Sequence, residues 1–428
     1  MNAVMRVQSF RFWIGSLALL LYAGIPGRAQ QTAPPKSSTD KPSAQTTPSA
    51  KPPAPTAADL DSKGDSLLSA NKPDEAIAAF RQAVILSPKD IRGYIGLGTA
   101  CMQSKRYTEA VQAFRTAVDL NPDAADFHFK LGGALLEAAQ YAEARTAFER
   151  AVELDPNNIS YRLSIGDSYL REKDYAGARQ ALLDALGYSP DSPDVHTGLG
   201  NVDLQDNHYT EALDEFDAVL RTDLSNADAN ARQALTTAAT IGRASALSGL
   251  KRFDEAEKIM RDLLAHNPKS ADVQSGLAQV LDSAGKHDEA IAAYRAALQI
   301  TPDDPDLWGN LGWAQYNAGR YEDAVASSRK ALQYDPKLAY VRFNLGLVFA
   351  VQDRWKESQQ EYRAALAVAV TPDIQGGLDD VRHALVKQPR VRALRQAFDF
   401  LTSAEREAWQ RVFSNSSAPL SGTPEPTK

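Results

Sequence analysis

The 428-residue chain has a single cysteine and six histidines, and each scarcity excludes something. One cysteine, Cys101, cannot close an intramolecular disulfide, so stability must come from packing, and its place in a helical apolar pattern reads as a buried, inert thiol. The sequence holds no HExxH, GxSxG or GxGxxG, and Gly285-Lys286 is followed by His287 where a phosphate loop needs a hydroxyl. The histidines are scattered. His128 and His196 stand at the same place two repeats apart, too far apart to share a metal; His287 takes an aromatic packing position; His208, His266 and His383 are isolated. The chain therefore reads as non-catalytic, with no metal and no small-molecule cofactor.

A basic stripe is missing as well. Net charge is −7, and residues 1–56 carry +5 of it, which leaves −12 for the rest. An acidic body of that kind argues against nucleic acid as partner. No apolar run reaches the roughly 20 residues that span a bilayer. The longest, Phe12 to Ile25, has 14 residues, follows Arg6 and Arg11, and is closed by Pro26 before the small residues Gly27 and Ala29. Residues 1–29 thus read as a signal peptide for export to the periplasm or beyond the cell. An uncleaved membrane anchor is the alternative, and a membrane becomes a partner only in that case. Residues 30–56 are rich in Pro, Ser, Thr and Lys without apolar periodicity, which predicts a disordered, semi-extended linker.

What the chain has in abundance is register. Pro88, Pro122, Pro156 and Pro190 are 34 residues apart, as are Pro268, Pro302 and Pro336; ten residues are inserted between the two series. Twelve residues before each anchor, eight units in nine carry alanine, from Ala76 to Ala324. Fifteen before, an aromatic recurs (Tyr107, Tyr141, Tyr175, Tyr209, Phe253, Tyr321, Trp355); twenty-four before, a glycine (Gly64, Gly98, Gly132, Gly166, Gly200, Gly312, Gly346); eight before, a ring again (Phe80, Phe114, Phe148, Phe216, Tyr294, Tyr362). Small residues let two antiparallel helices approach closely, rings fill the space beside them, and proline closes the second helix. One such hairpin leaves an apolar face bare, so neighbours must stack into one continuous core.

Leu97-Gly98, Leu131-Gly132 and Leu199-Gly200 in first helices, Tyr107-Thr108-Glu109-Ala110 opening a second, and endings such as Ala117-Val118-Asp119-Leu120-Asn121-Pro122 resemble the tetratricopeptide repeat over residues 57–372. The resemblance implies an all-α, right-handed α-solenoid of about nine helix-turn-helix repeats. Repeats one to five occupy 57–226, a helical insertion 227–236, repeats six to nine 237–372, and capping helices 373–413 before a disordered tail, 414–428. The insertion is expected to lengthen a first helix from near Ala227 to Leu250, a short loop being the alternative. Beyond Pro372, helices are expected over 374–387 and 390–401, with Thr402-Ser403-Ala404-Glu405 resembling a capping box that opens a last one.

In the resembled family the first helices line a concave groove that accepts a protein or peptide. Projected onto this chain, the groove places Arg92, Phe129, Asp167, Arg171, Asn201, Trp313, Tyr316, Asn317, Tyr340 and Phe343 at a partner. The Lys-and-Asn set by which some relatives grip tail carboxylates is absent. Groove-side acids such as Asp126, Asp194, Asp272 and Asp306 fall in first helical turns, where they also offset the helix dipole. Trp313, Tyr316, Tyr340 and Phe343 read either as interface anchors or as residues that returning C-terminal helices bury. The chain's expected role is an exported scaffold; a substrate-recruiting subunit of an envelope enzyme complex and a membrane-anchored spacer are the alternatives.

Overall fold

The computed structural model describes residues 54–225 and 227–416, and every regular element among them is an α-helix. The expected signal peptide, nearly all of the expected linker and the tail from 417 onward lie outside the described residues. Three hairpins come first, α1 (Ala57–Ser69) with α2 (Pro73–Leu86), α3 (Ile91–Gln103) with α4 (Tyr107–Leu120), and α5 (Ala125–Glu137) with α6 (Tyr141–Leu154); α7 (Ile159–Arg171) and α8 (Tyr175–Tyr188) follow in sequence. Then come α9 (Pro193–Gln205) with α10 (Tyr209–Arg221), α11 (Ala229–Gly249) with α12 (Phe253–His266), α13 (Ala271–Ser283) with α14 (His287–Ile300), α15 (Pro305–Asn317) with α16 (Tyr321–Tyr334), and α17 (Ala339–Val351) with α18 (Trp355–Leu366). Two longer helices, α19 (Thr371–Lys387) and α20 (Arg392–Ser416), end the described chain.

Each hairpin turns on a residue in left-handed conformation. Asn71, Lys105, Ala139, Lys173, Asn207, Lys251, Gly285, Gly319 and Asp353 all have φ between 56° and 78°. The column keeps the 34-residue step except across the insertion. A left-handed residue lets the chain close the first helix with two reverse bonds, as where Arg106 N–H donates to Cys101 O (2.8 Å) and Lys105 N–H to Met102 O (3.0 Å). Only two of the nine are glycine, which is why the column does not stand out in the sequence. First helices begin on side-chain caps from Asp90, Ser192, Asp228, Ser270 and Asp304.

The described residues form two compact units, 54–171 and 172–416, and the division falls inside the fourth repeat. In 54–171, α1 to α6 bury Ala76, Phe80, Ala110, Phe114, Leu135, Ala144 and Phe148, with Cys101 fully buried among them. Burial pushes the Cys101 thiol up to about 11, so it stays protonated at neutral pH. In 172–416 one cluster joins α9 to α15, and others join α15 to α20. Because a hairpin touches mainly its sequence neighbours, burial accumulates locally and nothing forces it into a single cluster.

The ring column works with two small columns. Phe80 lies against Gly64 of its own hairpin and Gly96 of the next, where an added Cβ would come within 2.5 Å and 2.2 Å of the ring. Phe216 is clamped in the same way by Gly200 and Gly242. The second column (Gly96, Gly198, Gly242, Gly276) has a sequence signal, but it is interrupted too often to read beside the first.

The ten inserted residues are helical from Ala229 on, so that α11 has 21 residues against 13 in most first helices. The C-terminal expectation needs correction. Residues 392–416 form one helix, and Thr402-Ser403-Ala404-Glu405 lies in its interior and caps nothing. No proline or glycine interrupts the stretch, Leu401 is buried in the same cluster as Leu394 and Ala397, and Ser403 Oγ bonds back to Asp399 O at 3.1 Å. Residues 414–416, expected to open the disordered tail, belong to this helix.

Candidate functional site

The projected groove residues divide between the two units. In 54–171, Arg92 of α3 reaches across to Asp65 of α1 (2.7 Å) and keeps more than half its side chain exposed. Phe129 of α5 is half-buried, its ring 5.0 Å from Tyr161 and 5.8 Å from Phe148. Asp167 and Arg171, one turn apart on α7, stand 3.7 Å from each other, and Arg171 Nη2 donates to Glu137 Oε1 at 3.2 Å. Asp167 Oδ1 and Arg171 Nε are enclosed without a hydrogen-bond partner.

Burial pushes the Asp167 carboxyl up to about 6; Arg171 pulls it back, and Glu137 adds to the rise. A carboxyl raised above its unfolded value of about 3.9 stabilises the fold fully below that value, and the contribution is lost as pH rises through the folded value. Between pH 4 and pH 7 the wild type should therefore lose about 1–3 kcal/mol relative to Asp167→Asn. Urea unfolding of both proteins at the two pH values tests this, and parallel pH dependences would refute it.

In 172–416 most projected residues are engaged within the chain. Asn201 is half-buried. Asn317 Nδ2 donates to Asp282 Oδ2 at 2.9 Å, and Asp282 Oδ1 also bonds His287 Nδ1 at 2.7 Å. That second bond raises the His287 pKa above its ordinary value. Tyr340 donates its hydroxyl to Asp306 Oδ1 at 2.7 Å. The reading of the four aromatics as exposed anchors is corrected most clearly at Phe343, which is 4% exposed. Its ring lies 6.1 Å from that of Tyr362 and meets the backbone of α19 at Gly377. Trp313 and Tyr316, with centroids 5.2 Å apart, pack against the same cluster. Of these rings, the one that α19 covers is that of Phe343.

Several polar positions escaped the sequence reading. Six residues after six of the seven anchor prolines, a side chain bonds the proline's carbonyl: Tyr94 to Pro88 (3.2 Å), His128 to Pro122 (2.8 Å), Arg162 to Pro156 (2.8 Å), His196 to Pro190 (3.0 Å), Trp308 to Pro302 (2.9 Å) and Arg342 to Pro336 (3.1 Å). Six different pairs meet one geometric need, to satisfy a carbonyl left free where proline ends a helix. The residue types vary too much for the column to be legible. It also gives His128 and His196 a structural task. Asp203, fully buried on α9, is held by Arg179 Nε of α8 at 3.0 Å, and Lys173 pairs with Asp373 two hundred residues away. Among the described residues no cluster of His, Cys, Asp or Glu is placed to hold a metal ion, and no helix is long and apolar enough to cross a membrane.

Sequence profiles described as tetratricopeptide repeat match residues 62–125 and 241–305, 102–164 and 169–236, and 293–326, and one described as TPR repeat matches 314–353. No curated protein matches the chain. Among solved structures, a tetratricopeptide repeat protein from Parabacteroides merdae is similar over 60% of this chain and 98% of its own, at 18% identity and a TM-score of 0.50, a likeness of fold. Cut9–Hcn1 of an APC/C hetero-tetramer (81% of this chain, 76% of that one, 11% identity, TM-score 0.43) and YrrB, described as a TPR protein with an unusual peptide-binding site (39% and 86%, 23% identity, TM-score 0.33), are more distant.

Proposed function

Because the chain belongs to the tetratricopeptide repeat family, we propose that it is an exported, non-catalytic scaffold that binds a partner protein or peptide on the face of its first helices. One observation carries the reading. In 54–171, α3 and α5 keep Ile95, Thr99, Phe129 and Gly133 half-exposed beside the exposed Arg92, and no C-terminal helix of that unit lies over them. A face that joins apolar area to a few charged groups suits a peptide laid along it, with aromatic and arginine side chains supplying most of the affinity. Arg92 favours a segment carrying a carboxylate, which would compete with Asp65 for the guanidinium.

Export rests on the basic residues, the 14-residue apolar run and the small residues at 27 and 29. Mass spectrometry of the protein recovered from its native compartment should find a chain beginning at Gln30. An intact N-terminus would favour the anchored spacer instead. Partner binding is tested by quantitative capture with the wild type and with Arg92→Glu/Phe129→Ala, after thermal melts establish that the variant folds. A partner recovered stoichiometrically by the wild type should drop at least fivefold with the variant. Equal recovery would remove this face from the proposal, and Arg92→Glu alone serves if the double variant melts early.

A further inference from the structure

The last hairpin is not seated as a tenth repeat. Where α13, α15 and α17 join the stack, each packs on both helices of the hairpin before it. Here it is α20 that packs on both helices of the ninth repeat, α17 and α18, and its Ala393 N–H donates to Asp353 Oδ1 (2.8 Å) in the turn between them. With that place taken, α19 packs on α17 and on α20.

Its contacts show where it runs. Asp373, in its first turn, pairs with Lys173 in the turn of the fourth repeat, and both side chains are largely buried. The other carboxylate oxygen of Asp373 accepts the Val370 N–H at 3.0 Å, so one residue both caps the helix and fastens it. Near the middle, Asp380 is close enough to Tyr316 of the eighth repeat and Tyr362 of the ninth for its charge to oppose their ionisation. At the far end, Lys387 opposes protonation of His287 in the seventh. Ile374, Leu378, Val381 and Ala384 are buried, and Gly377 lets the helix backbone settle on Phe343, where a Cβ would stand 2.5 Å from the ring. A helix fastened to the fourth repeat at its first turn and seated on Phe343 of the ninth lies across the hairpins instead of extending their stack.

We infer that α19 is a built-in occupant of the partner-binding face of residues 172–416, fastened by Lys173, and that an amphipathic helix from a partner displaces it. The inference rests on the scaffold reading above. The occupant also specifies the ligand: a helix with a carboxylate in its first turn, followed by apolar residues in the spacing of Ile374, Leu378 and Val381, that is i, i+4 and i+7, with small residues between them. No repeat hairpin includes α19, so it can leave without opening one.

The test uses the full chain and two variants that spoil α19 but keep every receiving residue, Gly377→Leu and Leu378→Asp. Hydrogen exchange is followed over 371–387 and over the repeats, together with binding of a fluorescent synthetic peptide of sequence Thr371–Lys387. In the variants, exchange of α19 should quicken at least tenfold while 229–351 stays protected, and the peptide should bind at least tenfold more tightly than to the wild type. Adding Lys173→Glu should weaken that binding, and a peptide carrying Asp373→Lys should restore it. If α19 stays protected in both variants, or its release unfolds the repeats, the helix is an integral cap and the inference is overturned. Release without peptide binding overturns it equally. No outside partner enters these measurements, so a failed capture experiment leaves them decisive.

Discussion

Phe148→Ala should destabilise residues 54–171 by about 3–5 kcal/mol, the usual cost of emptying a buried aromatic site. The ring is 1% exposed, lies against Gly132 on the first helix of its own hairpin and is 5.8 Å from the Phe129 ring. Gly132→Ala attacks the same contact from the other side: its new Cβ would stand 2.5 Å from the Phe148 ring, and overpacking of this kind costs about 1–3 kcal/mol. If the small column exists to admit the ring column, the two positions are coupled. Gly132→Ala/Phe148→Leu should then lose less than its single substitutions combined, by roughly 1 kcal/mol. A double-mutant cycle from urea unfolding decides this. Strict additivity would mean that glycine and ring recur in register for unrelated reasons.

The second large effect concerns charge. Arg179→Ala should cost about 2–4 kcal/mol at neutral pH, because it leaves the Asp203 carboxylate buried without its counter-ion. Asp203 is fully buried, its Oδ1 accepts from Arg179 Nε at 3.0 Å, and its Oδ2 has no partner. Burial raises the Asp203 pKa and Arg179 lowers it, with burial prevailing. A carboxyl raised above its unfolded value stabilises the fold below that value and ceases to do so as pH rises through the folded one. Without Arg179 the rise is larger, so the deficit of Arg179→Ala should be greatest near pH 7.5 and shrink toward pH 4.5, as the folded state takes up the proton. Chemical denaturation of both proteins at the two pH values measures the difference. A deficit independent of pH would place the cost in lost packing of the arginine stem.

The aromatic residues show how a sequence reading reaches its limit. Trp313, Tyr316, Tyr340 and Phe343 stand at first-helix positions where a groove would present them, and nothing local distinguishes an exposed ring from a covered one. What covers Phe343 is α19, whose approach depends on Gly377 and on an ion pair spanning two hundred residues. The capping-box reading of Thr402 failed for a related reason. The residues suit a helix start, but the apolar stripe through Leu394, Ala397 and Leu401 carries the helix through them.

By itself the sequence determined the repeating hairpin, its 34-residue step, the insertion and the pairing of small residues with rings, because each is a contact within one hairpin or between neighbours and leaves its mark at fixed spacing. It left illegible whatever many residue types can accomplish: the left-handed turn column, met by Asn, Lys, Ala, Asp and Gly, and the side chains that bond the proline carbonyls. Only the tertiary structure decided which part of the first-helix face stays open. That depends on where a helix late in the chain returns, through contacts such as Lys173 with Asp373 that occur once and so leave no periodic trace.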